Sequence, residues 1–238
     1  MPVLILSEDD VRAVLTMDLA LPAVEASFRK IALDEAVNVP RQRCQTDSAM
    51  LHVLPAAAKT LGALGFKAYT TGHFYPQFKV YLFDPKAGGL TAILDADFLG
   101  QVRTGAASAI AAKKLARADA TTVGLLGTGR QARTQLEAVC KVRAISRAKV
   151  YSRDEAKRTA FATEMSGLCG VEVEPVATAR EAVDGARHRH RGDQFARAGV
   201  EGRVVGARRT RHPDGVELPD QRGSRCRGFP PGETGHGR

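Results

Sequence analysis

The chain has no tryptophan and only four cysteines, Cys44, Cys140, Cys169 and Cys226. No two of them stand at C-x-x-C or metal-ligand spacing, so neither a disulfide framework nor a structural metal site is expected, and free thiols are. No apolar run approaches the roughly 18 residues of a membrane span. Residues 1–7 are too short, and too soon followed by acids, for a secretion signal. A cytoplasmic protein without a membrane segment is expected. What the chain does have is 238 residues, 44% of them hydrophobic, enough to fill one large domain or two small ones.

Charge is unevenly placed. Of the net +9, residues 187–238 carry +6, from twelve Arg, six acids and no Lys, which leaves +3 for residues 1–186. That last stretch also lacks Ile, Met and Tyr, keeps one Leu (Leu218) and holds four of the six His. A disordered basic extension is one reading. A nucleic-acid-binding arm is a sharper one, weakened by the absence of interleaved aromatics. A third explains more: read one base later from Arg187, GC-rich codons allow peptides such as DIVTAATNSREPV and, further on, GSNYPTNAEV. These look like ordinary protein and begin with an apolar strand, so a frameshift near Ala186 is expected.

Before that break the pattern is regular. Ser7 with Glu8, Asp9 and Asp10 reads as a helix start, and Asp18 to Ala36 carries apolar residues at three-to-four spacing. Strands are expected at Met50–Leu54, Ala63–Thr71, Lys79–Phe83 and Leu90–Leu94, as a meander. An alanine-rich helix follows from Asp95 to Arg117. Then strands and helices alternate: a strand leading into Gly127, a helix over Arg130–Val142, a strand at Ala148–Ser152, a helix over Asp154–Ser166, a strand at Val171–Val176 and a helix opening at Thr178. Such alternation predicts a doubly wound parallel sheet.

At the first strand-to-helix turn stands VGLLGTGRQARTQ, Val123 to Gln135. Gly127, Gly129 and Ala132 give the G-x-G-x-x-A spacing of a dinucleotide turn, with Thr128, Arg130 and Gln131 between them. The first position permits the tight turn, the second lets backbone approach a pyrophosphate, and the third lets helix and strand pack closely. The second strand ends at Tyr151-Ser152-Arg153. A hydroxyl and an Arg there suit the extra phosphate of NADP(H) better than the ribose hydroxyl of NAD(H), although Arg153 facing solvent is the plain alternative.

The run RTGAASAIAAKKLAR, Arg103 to Arg117, placed directly before that turn, resembles the ornithine cyclodeaminase and μ-crystallin family, as do LGFK at Leu64–Lys67 and HVLP at His52–Pro55. The resemblance covers residues 1–186. It implies an α/β chain: a substrate-binding and dimerisation domain over residues 1–117, a partial NAD(P)-binding Rossmann domain over 118–186, and an aberrant tail over 187–238. It implies a small amino or imino acid substrate, homodimeric relatives, and cyclodeamination, alanine-type dehydrogenation or cyclic imine reduction. A ligand carrier like μ-crystallin is the alternative.

Within that resemblance Arg41, Lys67 and Arg103 match the basic residues that hold the substrate carboxylate. Their chemistry agrees, since Arg offers a planar fork and Lys a compact charge. Lys67 falls inside an apolar strand, where an ammonium needs an anionic partner. The alternative is that all three are solvated cations, and Arg43 competes with Arg41 on the same face of an extended segment. His52 and His73 are left aside as packing residues. The family's catalytic Asp would fall beyond the fourth strand, where the shifted frame carries Asn, so no catalytic residue is assigned and little or no turnover is expected from this chain.

Overall fold

A computed structural model of the chain describes residues 2–184 and the backbone of residues 188–191. The amino-terminal part is built on a mixed sheet. Strand β1 (Leu4–Leu6) leads to helix α1 (Glu8–Val14), started by a reciprocal Ser7–Asp10 capping box. Helix α2 (Met17–Ala32) follows, capped by Thr16. It stops four residues short of the expected Ala36. Asp34 takes the left-handed conformation, at φ 56°, and the Glu35 N–H turns back to the Lys30 carbonyl, which a continuing helix cannot accommodate.

Three strands then share one long partner. β2 (Ala36–Asn38) and β3 (Gln42–Gln45) both pair antiparallel with β4 (Ala49–Ala58), one after the other along the same edge. Pro40, which has no N–H to give a ladder, falls in the gap between them, and Arg41 follows it there. β5 (Ala63–Gly72), β6 (Phe78–Phe83) and β7 (Leu90–Asp95) complete the antiparallel run. The expected meander is therefore present, enlarged by β2 and β3 on one side and by β1 on the other. β1 pairs parallel with β7.

Helix α3 (Asp97–Leu115) lies over one face of this sheet, where Gly100 approaches Lys67. The opposite face is apolar. Val53, Phe66, Ala68, Tyr81, Phe83 and Ile93 there are all short of full burial, and Ile5, Leu51 and Leu64 are 72%, 42% and 41% exposed.

The second sheet is parallel, in order β10-β9-β8-β11. It contains β8 (Thr122–Leu126), β9 (Arg147–Tyr151), β10 (Glu172–Pro175) and β11 (His188–Arg191), with helices α4 (Arg130–Val142), α5 (Glu155–Cys169) and α6 (Ala179–Val183) between them. Within the stretch read as a disordered basic extension, the backbone of 188–191 pairs parallel with β8 in the place of a fourth strand. That edge of β8 is therefore covered in this chain, since ladder bonds are made by backbone groups whatever side chains they carry. Residues 192–238, to which the same expectation extended, lie outside the described residues.

The two sheets are joined through α3 and α4. Ala106, Ala109 and Ala112 are buried with Leu136, Ala138 and Val139 in one core, and at Gly105 the helices nearly touch. A Cβ on Gly105 would stand 2.4 Å from the Thr134 carbonyl oxygen, so only hydrogen fits. The Thr134 hydroxyl bridges the crossing, donating to the Gln101 carbonyl at 3.0 Å.

Candidate functional site

Five of the site's side chains come from one face of the mixed sheet. Alternation along β5 puts Lys67, Tyr69 and Thr71 on that face. Cross-strand register sets Tyr69 between His52 of β4 and Phe78 of β6. The His52 ring stacks on Tyr69 with centroids 4.5 Å apart and hydrogen-bonds the Thr71 hydroxyl at 2.9 Å. Burial, then Arg41 and Arg43, push its pKa below the ordinary histidine value, so it is a neutral packing group.

Lys67 has no carboxylate at ion-pair distance among the described residues. Its ammonium lies 4.4 Å from the centre of the Phe78 ring and 5.5 Å from that of Tyr69. The chain thus supplies aromatic faces where the strand pattern called for an anion. Burial, then Arg103 and Arg41, lower the Lys67 pKa to about 8, with Asp97 acting in the opposite sense. Arg103 reaches in from α3 and stays open to solvent, while surrounding protein and then Arg41 lower its pKa.

Arg41, at the proline break, places its guanidinium 5.7 Å from the Tyr69 ring centre. The three expected cations therefore do converge. Arg43 bears on His52, whereas Arg41 bears on both Lys67 and Arg103, which separates the two arginines that spacing alone left equivalent. The cluster sets three cations beside the rings of Tyr69 and Phe78, a chemistry suited to a small carboxylate.

The glycine turn stands at the carboxyl end of the parallel sheet. Gly127 has φ 107°, a conformation that favours glycine, and its N–H donates to the Tyr151 carbonyl at 2.8 Å. Gly129 is the N-cap of α4 and offers no side chain to cap it. Ala132 is fully buried. From α5, Glu164 pairs with Arg133, which donates to the Thr128 carbonyl at 3.0 Å and so braces the loop. The Gln131 side-chain oxygen is buried and unpartnered among the described residues. A helix start capped by glycine and given no side-chain cap fits the acceptor oxygens of a nucleotide pyrophosphate. Ser152 and Arg153 follow β9, adjacent to this turn; the Ser152 hydroxyl donates to the Asp154 carbonyl at 3.0 Å, and Asp154 caps α5.

Arg130 is placed differently from the other residues of the turn. Its guanidinium hydrogen-bonds the Asp97 carboxylate and the Tyr75 hydroxyl, so its side chain links the turn to the start of α3. Tyr75 and Asp97 were not singled out from the sequence. Their signal is a contact between distant segments, which no local period carries. Tyr69 was accessible, since it stands two residues from Lys67 on the same strand face.

Comparison with known proteins identifies the family and the fold. The family model described as "Ornithine cyclodeaminase/mu-crystallin family" matches residues 2–187. The alanine dehydrogenase of Archaeoglobus fulgidus is 35% identical over 158 residues, 63% of this chain and 48% of that protein. The structure of Thermococcus litoralis Delta(1)-pyrroline-2-carboxylate reductase in complex with NADH and L-proline superposes with a TM-score of 0.73 at 32% identity, over 79% of this chain and 61% of that one. An archaeal alanine dehydrogenase dimer with bound NAD gives 0.71 at 32% identity, over 76% and 58%. The chain spans about half the length of the curated relatives it matches.

Proposed function

This chain belongs to the ornithine cyclodeaminase/mu-crystallin family, and from that premise we propose that it binds a nicotinamide dinucleotide together with a small amino or imino acid. The observation that carries the proposal is the convergence of Arg41, Lys67 and Arg103 around Tyr69 and Phe78, beside a helix that packs against the helix of the glycine turn. Lys67 and Arg103 hold the substrate carboxylate, and Arg41 adds to the field at the rim. Tyr69 and Phe78 form the wall against which the substrate's carbon skeleton lies. The amino end of α4, with Gly127, Thr128, Gly129, Gln131 and Ala132, receives the pyrophosphate. When bound, the dinucleotide supplies hydride chemistry at the nicotinamide. The residues named here orient the substrate carbon toward it. Ser152 and Arg153 at the end of β9 favour NADP(H) over NAD(H), the cofactor form in the solved relatives named above notwithstanding.

The 238-residue chain is a binding form without efficient turnover. The family match ends at residue 187, where composition also changes, and both observations support a one-base shift in reading frame near Ala186. His52, beside the cluster, is held by Tyr69 and Thr71. Relatives suggest dimer formation, and the apolar sheet face bearing Ile5, Leu51 and Leu64 is the surface for it. The test is titration of the full chain with NADPH, NADH and L-proline, together with transfer of deuterium from labelled NADPH to a cyclic imino acid. Binding of both ligand classes, with the amino acid lost in Lys67→Met and Arg103→Met, is the expected result. A chain that binds neither ligand, or whose amino acid affinity ignores both substitutions, overturns the proposal. Deuterium transfer at the rate of an ordinary enzyme overturns the non-catalytic reading.

A further inference from the structure

Dinucleotide turn and carboxylate pocket meet at three side chains from three segments. Arg130, the first residue of α4, donates to the Asp97 carboxylate and to the Tyr75 hydroxyl. Tyr75, from the loop between β5 and β6, donates in turn to Asp97 Oδ2 at 3.2 Å. The Arg130 guanidinium also lies 5.2 Å from the centre of the Tyr75 ring. Every group in the trio thus has a partner of complementary sense.

An exposed ion pair by itself contributes little, and the Arg130 side chain is 54% exposed against 24% for Asp97. The position of this pair gives it a larger role. Helices α3 and α4 pack backbone against backbone at Gly105, where Thr134 leaves no room for a Cβ. Residues 97 and 105 stand about 12 Å apart along the axis of α3. Pinned at Gly105 and tied at Asp97, the intervening turns of α3 are fixed against the glycine turn. Those turns carry Arg103, and they carry Gly100, whose added Cβ would stand 3.6 Å from the Lys67 ammonium. Asp97 also acts electrostatically on Lys67 itself.

We propose that Tyr75, Asp97 and Arg130 form a positioning cluster that couples occupancy of the dinucleotide turn to occupancy of the carboxylate pocket; this rests on the two-ligand reading given above. A phosphate at the start of α4 orders the turn from which Arg130 projects, and through Asp97 it orders the turns of α3 that present Arg103 and back Lys67. By linkage the effect is reciprocal, so a bound carboxylate tightens the dinucleotide by the same factor.

The experiment is calorimetric titration of the full chain with L-proline, in the absence and in the presence of saturating NADPH. The expected result is L-proline binding about tenfold tighter with NADPH present. That factor should fall to near one in Asp97→Asn and in Tyr75→Phe, and return in large part in the conservative Asp97→Glu. Because the readout is a ratio taken within each variant, a general loss of affinity does not imitate it. Tyr75→Phe removes one exposed oxygen and keeps the measurement meaningful if Asp97→Asn fails to fold. Retention of the full factor in both Asp97→Asn and Tyr75→Phe overturns the proposal, as does independent binding of the two ligands to the wild-type chain. A wild-type chain that binds neither ligand overturns the functional reading itself, and the coupling with it.

Discussion

Lys67 is held in a state the fold does not favour. Burial and two neighbouring guanidinium groups lower its pKa to about 8, so the folded chain holds this proton less tightly than the unfolded chain does. Stability therefore rises as the pH climbs from about 8 toward the ordinary 10.5 of a lysine, and the charged form weakens the fold at neutral pH. Lys67→Met is accordingly expected to raise the melting temperature at neutral pH while abolishing L-proline binding. A lower melting temperature there would show that the ammonium stabilises the fold. In the unmodified chain, carboxylate affinity should be flat below pH about 8 and fall about tenfold per unit above it, which calorimetry across that range would measure. A second residue, Arg153, tests the proposed preference for NADP(H). Arg153→Asp should lower the NADPH-to-NADH affinity ratio by about tenfold or more, through loss of an arginine–phosphate contact and gain of a ribose acceptor; an unchanged ratio would mean that the 2′-phosphate is not met at this turn.

At the scale of elements, the crossing of α3 and α4 sets the geometry of everything above it. Gly105→Ala places a Cβ 2.4 Å from backbone that cannot step aside, and it should cost about 1–3 kcal/mol in urea unfolding. Gly167, in α5, has nothing within 4 Å of its would-be Cβ, so Gly167→Ala should instead add about 0.5–1 kcal/mol. Equal effects at the two positions would remove the steric account. The elements that could be read in advance were those whose pattern is local: β5 by alternation, α4 by its apolar period, and the turn between β8 and α4 by its glycines. β1, at Leu4–Leu6, was not legible because three apolar residues give no period, and its pairing with β7 is decided 88 residues later. β2 and β3 were hidden for a related reason, being short stretches that exist only as partners of β4. The three cations of the pocket were found by resemblance and by charge chemistry. Asp97 and Tyr75 were not found, because they act through a contact between segments.

Across the whole molecule, the cluster of Arg41, Lys67 and Arg103 lies within described residues, whereas the parallel sheet receives its fourth strand from the stretch where the composition has changed. A gene read across codon 186 is expected to show a one-base displacement. The frame-restored product should turn over an imino acid with NADPH, and the 238-residue chain should not; an intact frame in the gene would remove the explanation. The amino end of α3 has a consequence of another kind. Its N-cap, Ala96, supplies no side chain, and the Asp97 and Phe98 N–H groups donate instead to the carboxylate of Glu8, at 3.3 and 2.7 Å. The helix bearing Arg103 is thus finished by a residue made about ninety positions earlier, and β1 joins β7 over the same span. Closing a loop of that length is slow compared with local helix formation, though each doubling adds only about 0.6 kcal/mol. On the ribosome, then, the first ten residues must wait for the ninety-seventh, and once it arrives sheet, cap and cation-bearing helix can close together, ahead of the glycine turn.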